Sequence, residues 1–299
     1  MSLGFSTEAL LPSARVSGPL RMGLVRLEEN EWLEPEPDLA ARDAVFDAHP
    51  ESVIIQPEAE AAIAELADLL ASQRPLTASL SKGDGSAMSF DKLRTSGSAH
   101  GALEAMARSV WEDLCIITQR EPGGPFHLSA AAVGFPTDWR IAEKIGRAMH
   151  EVHEPIHGYA EKLASPVDKF MDGLQSHNIF GRTNAFVIPS ADLRYMPVLP
   201  PEQRFAHVTP ENAGQVLHAR CERETLRRLP KSRAILFTIG IYRAPLDSLS
   251  DAAVARLAES LEGYGDGELE RRAAPHYAVL LADYAKTRNS AAGQGRSAA

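Results

Sequence analysis

The sequence predicts an α+β fold, and three observations carry the prediction. Two apolar runs, Leu114–Ile117 and Phe126–Phe135, flank the turn Glu121-Pro122-Gly123-Gly124-Pro125 and read as a hairpin-like pair of strands. Pro fixes φ in such a turn, and the glycines accept positive φ. Residues 139–174 then switch to a helical period. Strand patterns return at Asn184–Ile188, Val216–Thr225 and Ala234–Tyr242, the last of which, AILFTIGIY, is the strongest in the chain. Strands in antiparallel-compatible order around an inserted helical segment mark the α+β class.

From the N-terminus, residues 1–20 are rich in Ser, Gly and Pro and read as a flexible arm. Met22–Glu34 carries scattered apolar residues up to Trp32-Leu33 and meets the breaker run Glu34-Pro35-Glu36-Pro37. Asp38–His49 has a helical pattern. Residues 57–71 form the clearest helix: Pro57 opens it, acidic residues fill its first turns, and Ile63, Leu66, Leu69 and Leu70 share one face. Residues 79–100 lose all periodicity and are expected to be a flexible insertion loop. Gly101–Glu112 is helical again. Two amphipathic helices, 250–263 and 268–286, close the fold, and 287–299 reads as a disordered polar tail. The expected organisation is a single domain over 21–286 with an N-terminal helical extension and C-terminal helices.

Composition narrows the functional classes. The chain has 299 residues, of which 44% are hydrophobic and 24% charged, so it can bury a sizeable core. Its 31 Lys and Arg against 40 Asp and Glu leave a net charge of −9, a field that repels polyanions, and no nucleic acid is expected as partner. Cys115 and Cys221 are too few for a disulfide framework or a Cys-based zinc site. The first residues lack a basic stretch followed by an apolar core, and no run approaches the roughly 18 apolar residues of a spanning helix. A cytoplasmic protein with no membrane partner is the expectation.

The chemistry concentrates in 135–163, FPTDWRIAEKIGRAMHEVHEPIHGYAEKL. Spacings of three and four would stack His150, His153 and His157 on one helix face. Pro155 interrupts that helix, so it is expected to end near His153 or Glu154, and His157 departs on another course. A histidine at a helix end beside a kink is well placed to ligate a metal or heme iron, against the commoner finding of a histidine cluster on a surface helix. Spacing alone leaves both open. In CERETLRRL, strand alternation puts Arg223, Thr225 and Arg227 on one face and Glu222 and Glu224 on the other.

The same stretch resembles the signature FPxxW…(D/E)KIG…IHxPVPxY of the heme-dependent oxidative N-demethylase family, whose studied members resemble PAS domains holding heme b. Arg220–Leu246, RCERETLRRLPKSRAILFTIGIYRAPL, is similar to the family's RxERQTLRRLPxSxAIxFTIRTYxxPL. Gly181-Arg182-Thr183-Asn184 matches RxNW in its Arg and Asn, and MGLVRLEENEWLEPEP resembles the family's opening. The resemblance spans Met22 to Tyr284. Four departures stand out: His157 for the second Pro of PVP, Ala185 for the Trp of RxNW, Gly240 for the Arg of FTIRTY, and Glu224 for the Gln of ERQTL.

The resemblance implies a PAS-like antiparallel sheet with inserted helices, binding heme b. His153, matching the IHxP histidine, is the implied axial ligand, with His157 as rival and His127 a more distant one. Guanidinium groups bind carboxylates bidentately, so Arg223 and Arg227 are candidates for the heme propionates, against an ordinary Arg–Glu ladder on a solvated sheet face. Lys144, in the KIG element, is a further cofactor candidate. The implied activity is O2-dependent removal of a methyl group from a small amine as formaldehyde. Neither a GxGxxG fingerprint nor a cluster-binding cysteine set is present, so electrons are expected from a separate reductase subunit. A heme-binding sensor or a catalytically degenerate family member is the alternative. No catalytic residue is assigned.

Overall fold

Seven runs of mainly apolar residues pair into one antiparallel sheet in the computed structural model, which describes residues 3–12, 22–73, 98–154, 156, 159–264 and 267–297. They are β1 (Val25–Leu27), β2 (Val53–Ile55), β3 (Asp113–Gln119), β4 (Phe126–Ala132), β5 (Ile179–Ile188), β6 (His218–Arg228) and β7 (Ile235–Pro245). Their order across the sheet is β1-β5-β6-β7-β3-β4-β2. The predicted hairpin is β3 and β4, with Cys115 opposite Ala131, and the strongest strand pattern is β7, between β6 and β3. The α+β class is what the molecule has. β1 and β2 are three-residue edge strands, too short to carry an alternation that periodicity could detect.

Alternate residues of the long strands point to two differently covered faces. On one face, Leu114, Ile116 and Leu236 pack with Ile63, Leu66, Leu70, Leu103 and Met106 of the helices Glu60–Gln73 and Ala99–Arg108. Further along that face, Ala185, Val187, Ala219 and Cys221 meet Val254, Leu257 and Leu281 of the helices Asp251–Leu261 and Ala278–Ser297. On the opposite face, Cys115, Ile117, Leu226 and Ile235 pack with Ile141, Met149, Val152 and Met171 of the segment inserted between β4 and β5. A fully buried Leu or Ile contributes about 1.5–3 kcal/mol, so these three clusters hold the layers together.

Several elements differ from expectation. Within the expected arm, Thr7–Leu10 forms a helical turn capped by Ser6, and Leu10 and Leu11 are buried, because the sheet offers their side chains an apolar seat. Of the expected loop 79–100, residues up to 97 lie outside the described residues. Ser98 is already an N-cap, its Oγ accepting the Gly101 N–H at 3.2 Å, and Ala99 starts the next helix. Among the described residues, the helical stretch 139–174 is four short helices, Ile141–Lys144, Met149–Val152, Tyr159–Lys162 and Ala164–Gly173. The final helical pattern breaks where Ala273 takes φ 56° before Pro275, then resumes over Ala278–Ser297, beyond the expected end at 286.

Candidate functional site

The inserted segment is stitched to β4 before it reaches its histidine. Gly146, at φ 77°, ends the helix Ile141–Lys144 and donates its N–H to Leu128 O at 2.7 Å, and Leu128 N–H returns to Arg147 O at 3.1 Å. Glu151 then accepts the Ala148 N–H at 2.8 Å, capping the one-turn helix Met149–Val152. His153 is its C-terminal cap, as the position of Pro155 predicts. Pro155 and His157 themselves lie outside the described residues.

His153 is held in one tautomer. Its Nδ1 lies 2.7 Å from Met149 O and its ring stacks on Tyr159 at 4.5 Å and 11°. Burial lowers its pKa to about 4; the bond to Met149 opposes this, and the positive charges of Lys144 and Arg182 add to it. The ring is therefore neutral near pH 7. A carbonyl can only accept, so the proton sits on Nδ1 and the Nε2 lone pair is left over. Nε2 has no hydrogen-bond partner among the described residues. Lys144 Nζ donates to Val152 O at 3.1 Å, lies 5.1 Å from the Trp139 ring centroid, and has its pKa lowered, mainly by burial.

The sheet face turned toward this segment is polar at its middle. The register sets Arg182 opposite Glu224 and Asn184 opposite Glu222. Arg182 Nε lies 3.2 Å from Glu224 Oε2, with the two side chains 34% and 14% exposed. Burial raises the Glu224 pKa; Arg182 opposes that rise and the neighbouring Glu222 reinforces it. Glu222 is fixed by Thr137 Oγ1, which donates at 2.7 Å, and by Asn184 Nδ2 at 3.1 Å. Thr137 Oγ1 in turn accepts from Arg220 Nε at 2.9 Å. Arg272 holds Asn184 from the other side, donating to Oδ1 at 2.8 Å.

The sequence candidates separate. His153 and Lys144 come together. Arg223 and Arg227 do share a face, as alternation predicts, but it is the opposite one. Arg223 is fully buried there and donates to three backbone carbonyls, Gly4 O and Trp32 O at 3.0 Å each and Glu31 O. Arg227 pairs with Glu29 and lies 4.5 Å from the Trp32 ring. Both arginines are committed to the N-terminal segment, not to the face that His153 neighbours. His127 sits on β4 with its Nδ1 buried and unpartnered among the described residues.

Arg182, Asn184, Glu222 and Glu224 take the place of the two arginines. Alternation already separated the glutamates from Arg223, but which face receives the inserted segment is a tertiary fact. Arg182 looks like a loop residue because β5 starts at Ile179, five residues before Asn184, where its strand pattern becomes visible. Two departures from the related motifs, Ala185 and Gly240, lie on the far face: Ala185 packs with the C-terminal helices and Gly240 pairs with Arg223.

The donor set suits heme. Among the described residues no three His, Cys, Asp or Glu side chains converge as a metal site would need. Heme asks the protein for a single axial imidazole, and a neutral histidine with Nδ1–H anchored on a carbonyl offers one. Residues 23–280, most of the chain, match the sequence model described as haem-dependent oxidative N-demethylase, alpha subunit-like.

Proposed function

The chain belongs to the haem-dependent oxidative N-demethylase, alpha subunit-like family, and from that premise we propose that it binds heme b and oxidatively demethylates a small N-methylated amine with O2. The order of the five long strands, with helices inserted between β4 and β5, supports a PAS-like reading of the domain. The observation that carries the proposal is His153, whose tautomer leaves Nε2 available to iron. His153 would be the axial ligand. Lys144 and Arg182, the two cations that lower the pKa of His153, are those to which propionates would turn.

When bound, heme supplies the activation of O2. One oxygen atom enters a C–H bond of the N-methyl group, the other leaves as water with two electrons and two protons, and the hydroxymethyl amine splits into formaldehyde and the demethylated amine. Glu222, immobilised by Thr137 and Asn184, would hold an ammonium-bearing substrate by charge. The alpha-subunit character of the family supports a separate electron-donating subunit, and among the described residues no helix is long and apolar enough to cross a membrane.

A heme-binding sensor is the second reading, favoured by Glu224. A carboxylate in place of Gln changes the charge of the face that would meet the substrate. The test is formaldehyde release from heme-loaded protein given O2, a reductase with NADPH, and methylated amines. Amine-dependent formaldehyde supports the enzyme; a persistent Soret band with no formaldehyde from any amine would leave the sensor.

A further inference from the structure

Arg182 lies on the sheet face beside His153, close enough to lower its pKa, and a third of its side chain is accessible. Its partner is Glu224, 3.2 Å away, from the neighbouring strand. Glu222 already receives hydrogen bonds from Thr137 and Asn184, so Glu224 depends on Arg182 for its counter-charge. Two carboxylates two residues apart on one strand face repel, which weakens the hold of Glu224 in its place. The related motifs carry Arg at 182 but Gln at 224, and an amide leaves a guanidinium's charge unneutralised.

We infer that Arg182 is a carboxylate-binding residue and that Glu224 is an occupant built into this chain, which an incoming carboxylate displaces. The inference rests on the heme reading for the identity of that carboxylate, a propionate. The same chemistry would also admit a free carboxylate ligand. Freeing the guanidinium strengthens such a ligand, and removing it weakens the ligand, each by about tenfold, the size of one charge-assisted hydrogen bond.

Two titrations decide it. In the first, apoprotein is titrated with hemin and with hemin dimethyl ester, whose propionates are uncharged, and the Soret band is followed. Glu224→Gln should bind hemin about tenfold tighter than the parent and Arg182→Gln about tenfold weaker, with the diester binding all three alike. Equal hemin affinities in the three proteins, or diester affinities that shift in parallel with hemin, would overturn the inference. In the second, the melting temperature of apoprotein is followed with added propionate. Stabilisation of Glu224→Gln but not of Arg182→Gln upholds the carboxylate site even if no protein binds hemin, in which case only the heme reading fails. No stabilisation of either variant, together with no hemin binding, overturns the site itself.

Discussion

Glu112 should make this protein less stable as pH rises. Its carboxyl is fully buried on the far face of the sheet; Oε1 accepts the Glu34 N–H at 2.7 Å, while Oε2 has no partner among the described residues. Tyr242 offers it no proton, because its hydroxyl donates to Glu34 at 2.7 Å. Burial raises the Glu112 pKa to about 7, against the opposing effects of the Glu34 N–H, Arg223 and Arg42. An unfolded glutamate titrates near 4.3, so the native state binds this proton more tightly. Stability is then highest below about pH 4.5, falls between about 4.5 and 7, and is level above, a loss of about 3 kcal/mol from this group. Glu112→Gln keeps an oxygen for Glu34 and removes the charge. Urea unfolding at pH 5 and pH 8 measures it: the variant should gain about 2–3 kcal/mol on the parent at pH 8 and much less at pH 5. A difference between the two proteins that is the same at both pH values would refute the reasoning.

Two further substitutions test the packing. Arg223→Met removes the three hydrogen bonds that the guanidinium donates to the carbonyls of Gly4, Glu31 and Trp32 and should cost about 3 kcal/mol, read by urea unfolding. Hemin affinity of the folded variant should match the parent, since Arg223 faces away from His153. Gly181→Ala should cost about 1–3 kcal/mol in the same assay. A Cβ there would lie 2.6 Å from Leu27 Cδ1, 2.8 Å from Leu3 Cδ1 and 3.3 Å from Glu224 O, so the two leucine side chains must move aside.

Local signals in the sequence foretold the elements whose causes are local. The long alternations of β6 and β7, the turn before Phe126 and the helix end at His153 all follow from residues within a few positions of each other. Three-residue β1 and β2 are set by pairing to β5 and β4, which no local pattern encodes. The candidate site divides the same way. His153 and Lys144 belong to one continuous stretch and were legible in it. Whether Arg223 or Glu224 looks toward His153 depends on which sheet face the segment 133–174 crosses, and alternation alone cannot choose a side. The N-terminal segment, by covering the other face, takes Arg223 and Arg227 for its own carbonyls and for Glu29.

The central claim is that His153 Nε2 is the iron ligand, and a hemin titration of the parent and of His153→Ala tests it most directly. The parent should develop a saturable Soret band, and His153→Ala, folded by circular dichroism, should lose that band or shift it. A folded His153→Ala variant with the parent's Soret band and the parent's hemin affinity would contradict the assignment.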